Sequence, residues 1–368
     1  MKLNKSNGKK VCIAMSGGVD SSVAAALLKE QGYECVGVFL KLWSEAEENT
    51  RKLGIENKCC SVDSFNDARR IAHQLGFPIY TINVRESFKQ MVVDQWLESY
   101  REGKTPNPCI NCNRLIRFNV MLKRAEQLGC DYLATGHYVK LETGKDGTIK
   151  LIAGDDKNKD QSYFLYTMTQ ERLKKLMFPV GHLTKPVVRE IAKKFNLEVH
   201  KKPESQEICF ISEKTHYSFL QRHLNLKPGP IKNLDGKELG RHDGLPLYTL
   251  GQRQGIKIGG PGGPYYVVKL DHKTNTLYVS NNANDPLIMT TKFAIKDPTW
   301  ISGKRPGANE NYGIKIRHQA SIIPATIDEN NIVTLKEPAR AVMTGQSAVF
   351  YQDKQVLGGG VISKIDIS

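Results

Sequence analysis

The chain carries Ala14-Met15-Ser16-Gly17-Gly18-Val19-Asp20-Ser21-Ser22 between an apolar run, Val11 to Met15, and a helix-like run, Val23 to Gly32. This order predicts a strand, a glycine-rich loop and a helix. Adjacent glycines let the backbone approach a phosphate with no Cβ in the way, and the N–H groups at the start of a helix favour an anion. The serine hydroxyls add donors. The sequence therefore predicts a phosphate-binding loop.

This loop differs from two common phosphate loops. It lacks the lysine of the Walker sequence GxxxxGK[ST] and the GxGxxG spacing of a dinucleotide-binding turn. Asp20 fits beside a phosphate mainly when a cation such as Mg²⁺ lies between the two. A plain Gly-Ser turn that caps a helix is the alternative. The string Ser16 to Ser22 resembles the PP-loop of the ATP pyrophosphatases, which implies cleavage of ATP between its α and β phosphates and transfer of AMP to a substrate oxygen.

Composition indicates a globular and basic protein. The 368 residues are 40% hydrophobic, which predicts two or three domains with ordinary cores. No apolar run approaches the about 18 residues of a membrane span, and Met1 to Lys10 is polar, so we expect a cytoplasmic protein with no membrane partner. The net charge of +15 predicts a polyanionic partner such as nucleic acid. A merely soluble basic protein is the alternative.

The first half of the chain alternates β-rich and helical runs, which predicts a parallel α/β sheet. The predicted strands are Val11 to Met15, Cys35 to Leu40, Ile79 to Val84 and Tyr132 to Thr135; the predicted helices are Ser21 to Gln31, Phe65 to Leu75 and Phe118 to Leu128. Ligands bind beyond the carboxyl ends of such strands. We therefore expect the loop at Ser16 to meet Leu40, beside an adenine, and Gly136, beside its sugar or ring edge.

Three domains are predicted. Residues 1–209 form the nucleotide-binding domain, and residues 210–285 form a small, linker-like α+β domain with one helix, Tyr217 to Leu224, among Gly- and Pro-rich turns. Residues 286–368 contain short alternating runs separated by turn residues, which predicts a small antiparallel β-barrel or sandwich. Its predicted strands are Tyr312 to His318, Ile322 to Ile327, Ile332 to Leu335, Ser347 to Tyr351 and Gln355 to Ile362.

Three cysteines stand in segments that favour chemistry. Two prolines in the segment Thr105 to Arg114 predict that Cys109 and Cys112 lie on an ordered loop. Cys209 stands alone at the end of the first domain. The three thiols fit a zinc site that lacks a visible fourth ligand, three ligands of an iron–sulfur cluster, or a persulfide relay with a resolving thiol. Three buried, inert cysteines are the remaining alternative.

The other cysteines divide into two groups. Three of them lie in or beside apolar runs and are predicted to pack in the core: Cys12, Cys35 and Cys130. The adjacent pair Cys59 and Cys60 stays unassigned. In a long chain with a nucleotide-binding loop and no signal peptide, this usage favours reduced thiols over a disulfide framework.

Several segments together resemble the tRNA-specific 2-thiouridylases (MnmA/TrmU). They are the phosphate loop, Thr105 to Arg114, Gly136-His137-Tyr138, Lys159 to Leu165, Ile208-Cys209-Phe210, Leu250 to Arg253 and Thr344 to Tyr351. The resemblance implies that ATP held by residues 14–22 adenylates the C2 oxygen of the wobble uridine in tRNAs for Lys, Glu and Gln. Sulfur then displaces AMP, which is a good leaving group.

The same resemblance implies roles for two cysteines. Cys209 carries a persulfide delivered by a cysteine desulfurase, directly or through a relay protein, and Cys112 acts as nucleophile or resolving thiol. A disulfide between Cys112 and Cys209 can follow. Other functions stay open at this point: another adenylating PP-loop enzyme, or a tRNA-binding protein with a regulatory ATP site.

The resemblance also implies a set of tRNA contacts. They are Asn107, Pro108 and Cys109 around a flipped base, with His137, Asp160, Gln161, Ser162, Arg317, His318 and Gln346 elsewhere on the tRNA. Each has an ordinary alternative: His137 as a satisfied turn histidine, Asp160 as a helix cap, Arg317 as a solvated charge.

Cys109 departs from the family pattern. Many members carry an aspartate at this position, proposed as an acid/base group near the target base, and a thiol there weakens that assignment. The extra thiol leads to the hypothesis that Cys109, Cys112 and Cys209 bind a [4Fe-4S] cluster whose fourth iron carries hydrosulfide to the adenylated base. This hypothesis competes with the persulfide relay.

Overall fold

A parallel sheet forms the first part of the chain in the computed structural model, which describes residues 7–45, 62–203, 208–211, 216–258 and 262–365. Its strands run in the order β3-β2-β1-β4-β7. Their bounds are β1 Lys10–Ala14, β2 Glu34–Lys41, β3 Ile79–Asn83, β4 Tyr132–Ala134 and β7 Leu176–Met177. The side chains of Val11, Cys12 and Ile13 are fully buried, as expected of a strand covered on both faces. The predicted α/β fold class is confirmed.

Helices cover both faces of this sheet. They are α1 Val19–Glu30, α2 Val62–Gln74, α3 (residues 85–101, with a π-helical middle, Lys89–Asp94), α4 (residues 108–127, with a π-helical middle, Cys112–Val120), α5 Gln170–Leu173 and α6 Lys185–Lys194. Short 3₁₀ turns follow at Ser162–Leu165 and Glu198–Lys201. The sheet order reverses between β1 and β4, so the crevice beyond their carboxyl ends is the switch point where ligands bind in such folds.

The predicted loop around the cysteine pair is a helix instead. Asn107 accepts a hydrogen bond from the backbone N–H of Cys109, at 3.0 Å, and Pro108 occupies the first helical position. An asparagine cap followed by proline at this position starts a helix. The prediction of an ordered loop is therefore wrong, and Cys109 and Cys112 lie one turn apart in α4.

The central part of the chain is a folded unit. A four-stranded sheet in the order β10-β11-β8-β9 packs against α7, His216–His223. Its strands are β8 Gly229–Lys232, β9 Glu238–His242, β10 Tyr266–Asp271 and β11 Thr276–Ser280. Ile231 and Val267 share an apolar cluster with Phe219 of α7 and Trp96 of α3. The description as linker-like is thus wrong, because the Gly- and Pro-rich turns join strands with a common core.

The last part is a closed antiparallel barrel, as the sequence predicts. The order is β12-β15-β14-β13-β16-β17, and β12 pairs with β17 to close it. The strands are β12 Met289–Trp300, β13 Tyr312–Lys315, β14 Ile323–Ile327, β15 Ile332–Arg340, β16 Ser347–Gln352 and β17 Gln355–Ile365. Phe293, Ile314, Val333 and Phe350 fill its interior.

A hairpin from the first half of the chain extends the barrel sheet. Its strands are β5 Val139–Thr143 and β6 Ile149–Ala153, and β6 pairs with β17. The hairpin lies between Tyr138 and Asp160 in the sequence, so it anchors both segments against the barrel. The domain boundaries at residues 209 and 285 stay predictions. None of the helices in the described ranges is long and apolar enough to cross a membrane.

Candidate nucleotide and thiol site

The phosphate loop is held in shape by its own backbone and hydroxyls. The Met15 N–H donates to the Val38 carbonyl at 2.9 Å, and the Ser22 hydroxyl donates to the Gly18 carbonyl at 2.9 Å. Gly17 has φ +70°, and a Cβ there would collide with the Ser64 carbonyl of α2. Gly18 is the N-cap of α1 and brings no side chain to bond the first N–H groups. These groups are therefore in position for an anion.

Asp20 is bound by a lysine that the sequence did not reveal. The Lys185 ammonium donates to both carboxylate oxygens, at 2.7 and 2.9 Å, and the Tyr138 hydroxyl donates to one of them at 2.7 Å. Lys185 is only 7% exposed. Within the described ranges, no three His, Cys, Asp or Glu side chains are grouped to hold a metal ion. The cation that pairs with Asp20 in this structure is Lys185, and the Mg²⁺ expected between Asp20 and bound phosphates stays a prediction.

Two further residues border the loop. A Cβ on Gly136 would lie 2.7 Å from the Ser21 nitrogen, so the backbone after β4 touches the start of α1. The Lys202 ammonium donates to the Gly17 carbonyl at 3.0 Å and to Asp67 of α2 at 2.6 Å. Leu40, the residue before the last of the neighbouring strand β2, is half-buried. The loop, Leu40 and Gly136 thus lie at one end of the sheet. Lys202 holds the loop against α2 through its bonds to Gly17 and Asp67.

Cys112 and Cys209 are both associated with the same large apolar cluster. Cys112 is 6% exposed and belongs to an apolar cluster with Trp96 and Phe210, and the half-buried Cys209 packs against the same cluster. Leu40 packs against this cluster too, which links it to the nucleotide end of the sheet. Cys112 is thereby sheltered from water and Cys209 partly so.

The six cysteines of the described ranges are all thiols, and none is in a disulfide. Cys109 is half-buried, one helical turn before Cys112. The three cysteines of the cluster hypothesis are all among the described residues and do not form a group that would hold a metal. The residues as arranged do not fit a [4Fe-4S] cluster. Cys59 and Cys60 lie outside the described residues.

Asp160 and Ser162 are buried and satisfied by their neighbours. The Asp160 carboxylate accepts from the N–H groups of Gly154 and Ser162, at 3.1 Å each, and from the Ser162 hydroxyl at 2.9 Å. Lys315 of the barrel lies 3.4 Å from its second oxygen. Both side chains thereby fix the segment that follows the hairpin. Neither presents a polar group to a surface ligand.

A chain of hydrogen bonds joins the phosphate loop to the barrel. Asp20 accepts from the Tyr138 hydroxyl, and the Tyr138 N–H donates to the Gln161 side chain at 3.0 Å. The His318 Nε2–H of the barrel donates to the Asp160 carbonyl at 2.9 Å, while its ring stacks 4.3 Å from that of Phe164. Arg317 is exposed beside it. Arg317 is therefore the member of this group that stays open to a phosphate.

His137 is a core side chain. It is 6% exposed, its Nδ1 lies 2.7 Å from the Thr135 hydroxyl, and the Phe118 and Phe178 rings pack on it. Burial lowers the pKa of His137 to about 3, and the positive charge of Arg117 adds to this. The ring is neutral at physiological pH. The satisfied histidine, which the sequence offered as an alternative to a tRNA contact, matches this placement.

Gln346 holds the segment that leads into α4. Its side-chain N–H donates to the Thr105 carbonyl at 2.8 Å, and the Thr105 N–H donates to the Thr344 carbonyl at 2.9 Å. Asn107 and Pro108 form the cap of α4, with Pro108 buried. These residues position Cys109 and Cys112 rather than project from the surface.

The fold and the loop define a class: a PP-loop nucleotide-binding protein with an attached β-barrel. Three family models match the chain, described as tRNA methyl transferase HUP domain over residues 9–213, tRNA methyl transferase PRC-barrel domain over 217–281 and Aminomethyltransferase beta-barrel domain over 290–362. The tRNA-specific 2-thiouridylase MnmA 2 of Geobacillus kaustophilus is 42% identical over 360 residues, covering 97% of this chain and 95% of the relative. The chain belongs to the MnmA family of tRNA-specific 2-thiouridylases.

Other relatives agree. MnmA of Lactococcus lactis subsp. cremoris strain MG1363 is 43% identical over 361 residues, covering 96% of this chain and 94% of that protein. Among solved structures, the U34-tRNA thiolase NcsA from Methanococcus maripaludis with its [4Fe-4S] cluster matches with a TM-score of 0.34 and 19% identity, covering 56% of this chain and 63% of that one. This last similarity is too low to support an argument.

Proposed function

We propose that this protein converts the wobble uridine of tRNAs for Lys, Glu and Gln to 2-thiouridine, using ATP and a persulfide sulfur. The observation that supports this most is the pair of thiols: Cys112 and Cys209 border one apolar cluster, against which Leu40 at the end of β2 also packs. The membership in the MnmA family gives the substrate class. The net charge of +15 suits a tRNA partner.

The first step is adenylation. Residues 14–22 bind the phosphates of ATP at the start of α1, with Leu40 and Gly136 beside the adenosine. The C2 oxygen of the uridine attacks the α phosphorus, the bond to the bridging oxygen breaks, and pyrophosphate leaves. Lys185 neutralises Asp20, which would otherwise repel the phosphates.

The second step is sulfur transfer. A cysteine desulfurase, or a relay protein, loads Cys209 as a persulfide. Its terminal sulfur attacks C2, and AMP leaves with the C2 oxygen. The Cys112 thiolate then attacks the Cys209 sulfur, which releases 2-thiouridine and leaves a Cys112–Cys209 disulfide. An external dithiol reduces this disulfide by two electrons before the next turnover.

Methyl transfer is the second candidate, because two of the matching family models are described as tRNA methyl transferase. The thiol pair favours thiolation, since methyl transfer from a sulfonium donor needs neither a second cysteine nor ATP cleavage at the α phosphate. Incubation of the protein and tRNA with S-adenosylmethionine in place of ATP and sulfur separates the two. We expect no methylated uridine.

The direct experiment is mass spectrometry of nucleosides from unthiolated tRNA incubated with the protein, ATP, cysteine and a desulfurase. We expect 2-thiouridine in the presence and absence of oxygen. Cys209→Ser and Cys112→Ser should each abolish it while tRNA binding survives. Cys130→Ser is the matched control, because that thiol is also half-buried but lies just before β4, at the opposite end of the strands from the phosphate loop.

Three results would overturn parts of the proposal. Full thiolation by both cysteine variants would remove the sulfur-transfer role. Product formed only without oxygen, together with iron in the protein, would favour the cluster over the relay. Product absent in every preparation, with tRNA still bound, would point to another adenylation or to a binding role.

A further inference from the structure

Two arginines, Arg114 and Arg172, lie close together at helix α4, which carries Cys109 and Cys112. Arg114 is exposed in α4, two residues after Cys112, and its guanidinium donates to the Asn111 side chain at 3.4 Å. Arg172, half-buried in α5, donates to the Arg114 backbone carbonyl at 3.3 Å. Neither guanidinium forms an ion pair with a carboxylate of the described residues. Two adjacent positive charges therefore face solvent with neutral hydrogen-bond partners.

The electrostatic consequence is visible at Arg172. Burial lowers the pKa of Arg172, the charge of Arg114 lowers it further, and the neighbouring Glu171 offsets part of this. Like charges this close are costly unless a counter-charge joins them. A phosphate is such a partner, because it accepts the paired N–H groups of guanidinium.

The two arginines lie on helices that are bonded to segments of the barrel sheet and to the segment packed on it. Asn113 donates to the Phe164 carbonyl at 3.5 Å, and the Phe164 ring stacks on His318. Gln170 fixes α5 by accepting from the Ile149 N–H at 2.8 Å and donating to the Ile301 carbonyl at 3.0 Å. Arg114 thus lies on the helix that carries Cys109 and Cys112, and its neighbour Asn113 contacts the segment that packs on His318, next to the exposed Arg317.

We propose that Arg114 and Arg172 form a phosphate-binding site that holds one backbone phosphate of the tRNA close to the target base. The inference rests on the proposed function for the identity of the RNA. The site orients the anticodon arm, while the phosphate loop binds ATP at the end of the sheet. Its ligand is a phosphate group, which an RNA backbone or a nucleotide can supply, and we assign it to the RNA backbone because Arg114 lies on the helix of Cys109 and Cys112 and not at the phosphate loop.

The test is tRNA binding as a function of salt for the wild type and the Arg114→Gln/Arg172→Gln protein. Removal of one phosphate contact should make the slope of log Kd against log salt shallower by about 1 and weaken binding at least about fivefold at low salt. The Arg114→Lys/Arg172→Lys protein keeps both charges and should retain most of the slope while losing part of the affinity. Arg241→Gln is the control, because it removes an exposed charge that lies in β9 of the central sheet.

Three outcomes decide whether Arg114 and Arg172 form a phosphate site for the tRNA. A wild-type slope and affinity in the double glutamine variant, with its thermal unfolding unchanged, would overturn the site. A raised KM for ATP with unchanged tRNA binding would assign the pair to the nucleotide instead and would also overturn it. Binding is measured without turnover, so its outcome is independent of the proposed function. If the wild type makes no 2-thiouridine but the double glutamine variant still shows the shallower slope, the proposed reaction is contradicted and the phosphate site is supported.

Discussion

The ion pair of Asp20 with Lys185 changes the charge of the phosphate loop. A carboxylate next to bound phosphates would oppose their binding, and the sequence suggested Mg²⁺ as the mediator. The structure gives Asp20 the ammonium of Lys185, from α6 far along the chain, and the hydroxyl of Tyr138. The pair leaves the loop close to neutral. The attraction for phosphate then comes from the N–H groups of α1.

The ion pair predicts the effect of Lys185→Met. This change keeps a long unbranched side chain but removes the charge, so Asp20 faces the phosphates unpaired. We expect the KM for ATP, measured by pyrophosphate release, to rise at least about tenfold, with an unchanged Kd for tRNA. Lys185→Arg should restore most of the affinity, and adding Asp20→Asn to Lys185→Met should recover part of it. An unchanged KM in Lys185→Met would show that the pair does not serve nucleotide binding.

His137 predicts a pH dependence of stability. The pKa of His137 is about 3 in the folded protein and about 6.5 in an unfolded chain, so between these values only the unfolded state takes up the proton. The free energy of unfolding therefore falls as pH falls below about 6.5. Between pH 7.5 and 5.5 we expect this residue alone to remove about 1.4 kcal/mol.

Urea unfolding of the wild type and of His137→Gln at pH 7.5 and 5.5 measures the contribution of His137 to the free energy of unfolding. The glutamine does not titrate, so the variant should lose about 1.4 kcal/mol less than the wild type over the interval. Equal losses in both proteins would contradict the buried, neutral histidine.

At the scale of elements, the segment before α4 is held from the barrel. Gln346 and Thr344 bond the Thr105 backbone, and Gly345, with φ +90°, lies against Lys104. A residue with a Cβ at Gly345 would meet the Lys104 Cβ at 3.0 Å. The barrel loop thereby sets the path of the chain into the cap at Asn107 and so the position of both cysteines of α4.

This contact predicts a slow reaction for Gln346→Glu. The new carboxylate would face the Thr105 carbonyl with no N–H to donate, so the segment should shift. We expect the kcat of thiolation to fall about tenfold with little change in the Kd for tRNA. Gln352→Glu, an exposed change at the end of β16, is the control and should stay within about twofold of wild type. A raised Kd with unchanged kcat would support the tRNA contact implied by the family instead.

Local sequence patterns predicted most of the strands and helices, but they did not predict which residues far apart in the sequence contact each other. The phosphate loop, the parallel strands and the barrel were predictable because glycines, apolar runs and alternation act over a few residues. Lys185 and Lys202 gave no signal, since their partners Asp20 and Gly17 lie far away in the sequence. The prolines at 106 and 108 were interpreted as a loop, although Asn107-Pro108 is also a helix start. The burial of His137 depends on Phe178, which no local pattern connects to it.

At the scale of the whole molecule, three parts of the chain meet at one segment. A Cβ on Gly103 would lie 2.6 Å from the His272 ring of the central sheet, and Thr105 is bonded by the barrel. The apolar cluster that holds Cys112 includes side chains of the central sheet. Arg340 of β15 donates to the Gly251 carbonyl at 2.9 Å and ties the barrel to the central part. The thiol site is therefore built by the complete fold, not by the nucleotide-binding sheet alone.

The central claim is that sulfur passes from Cys209 to tRNA with Cys112 as the resolving thiol. A single-turnover reaction tests it: protein loaded with persulfide and freed of desulfurase is mixed with ATP and unthiolated tRNA, and the products are counted by mass spectrometry. The account predicts equal amounts of AMP, 2-thiouridine and Cys112–Cys209 disulfide, with no 2-thiouridine released by Cys112→Ser. Free 2-thiouridine formed without the disulfide, or by Cys112→Ser at the wild-type rate, would contradict it.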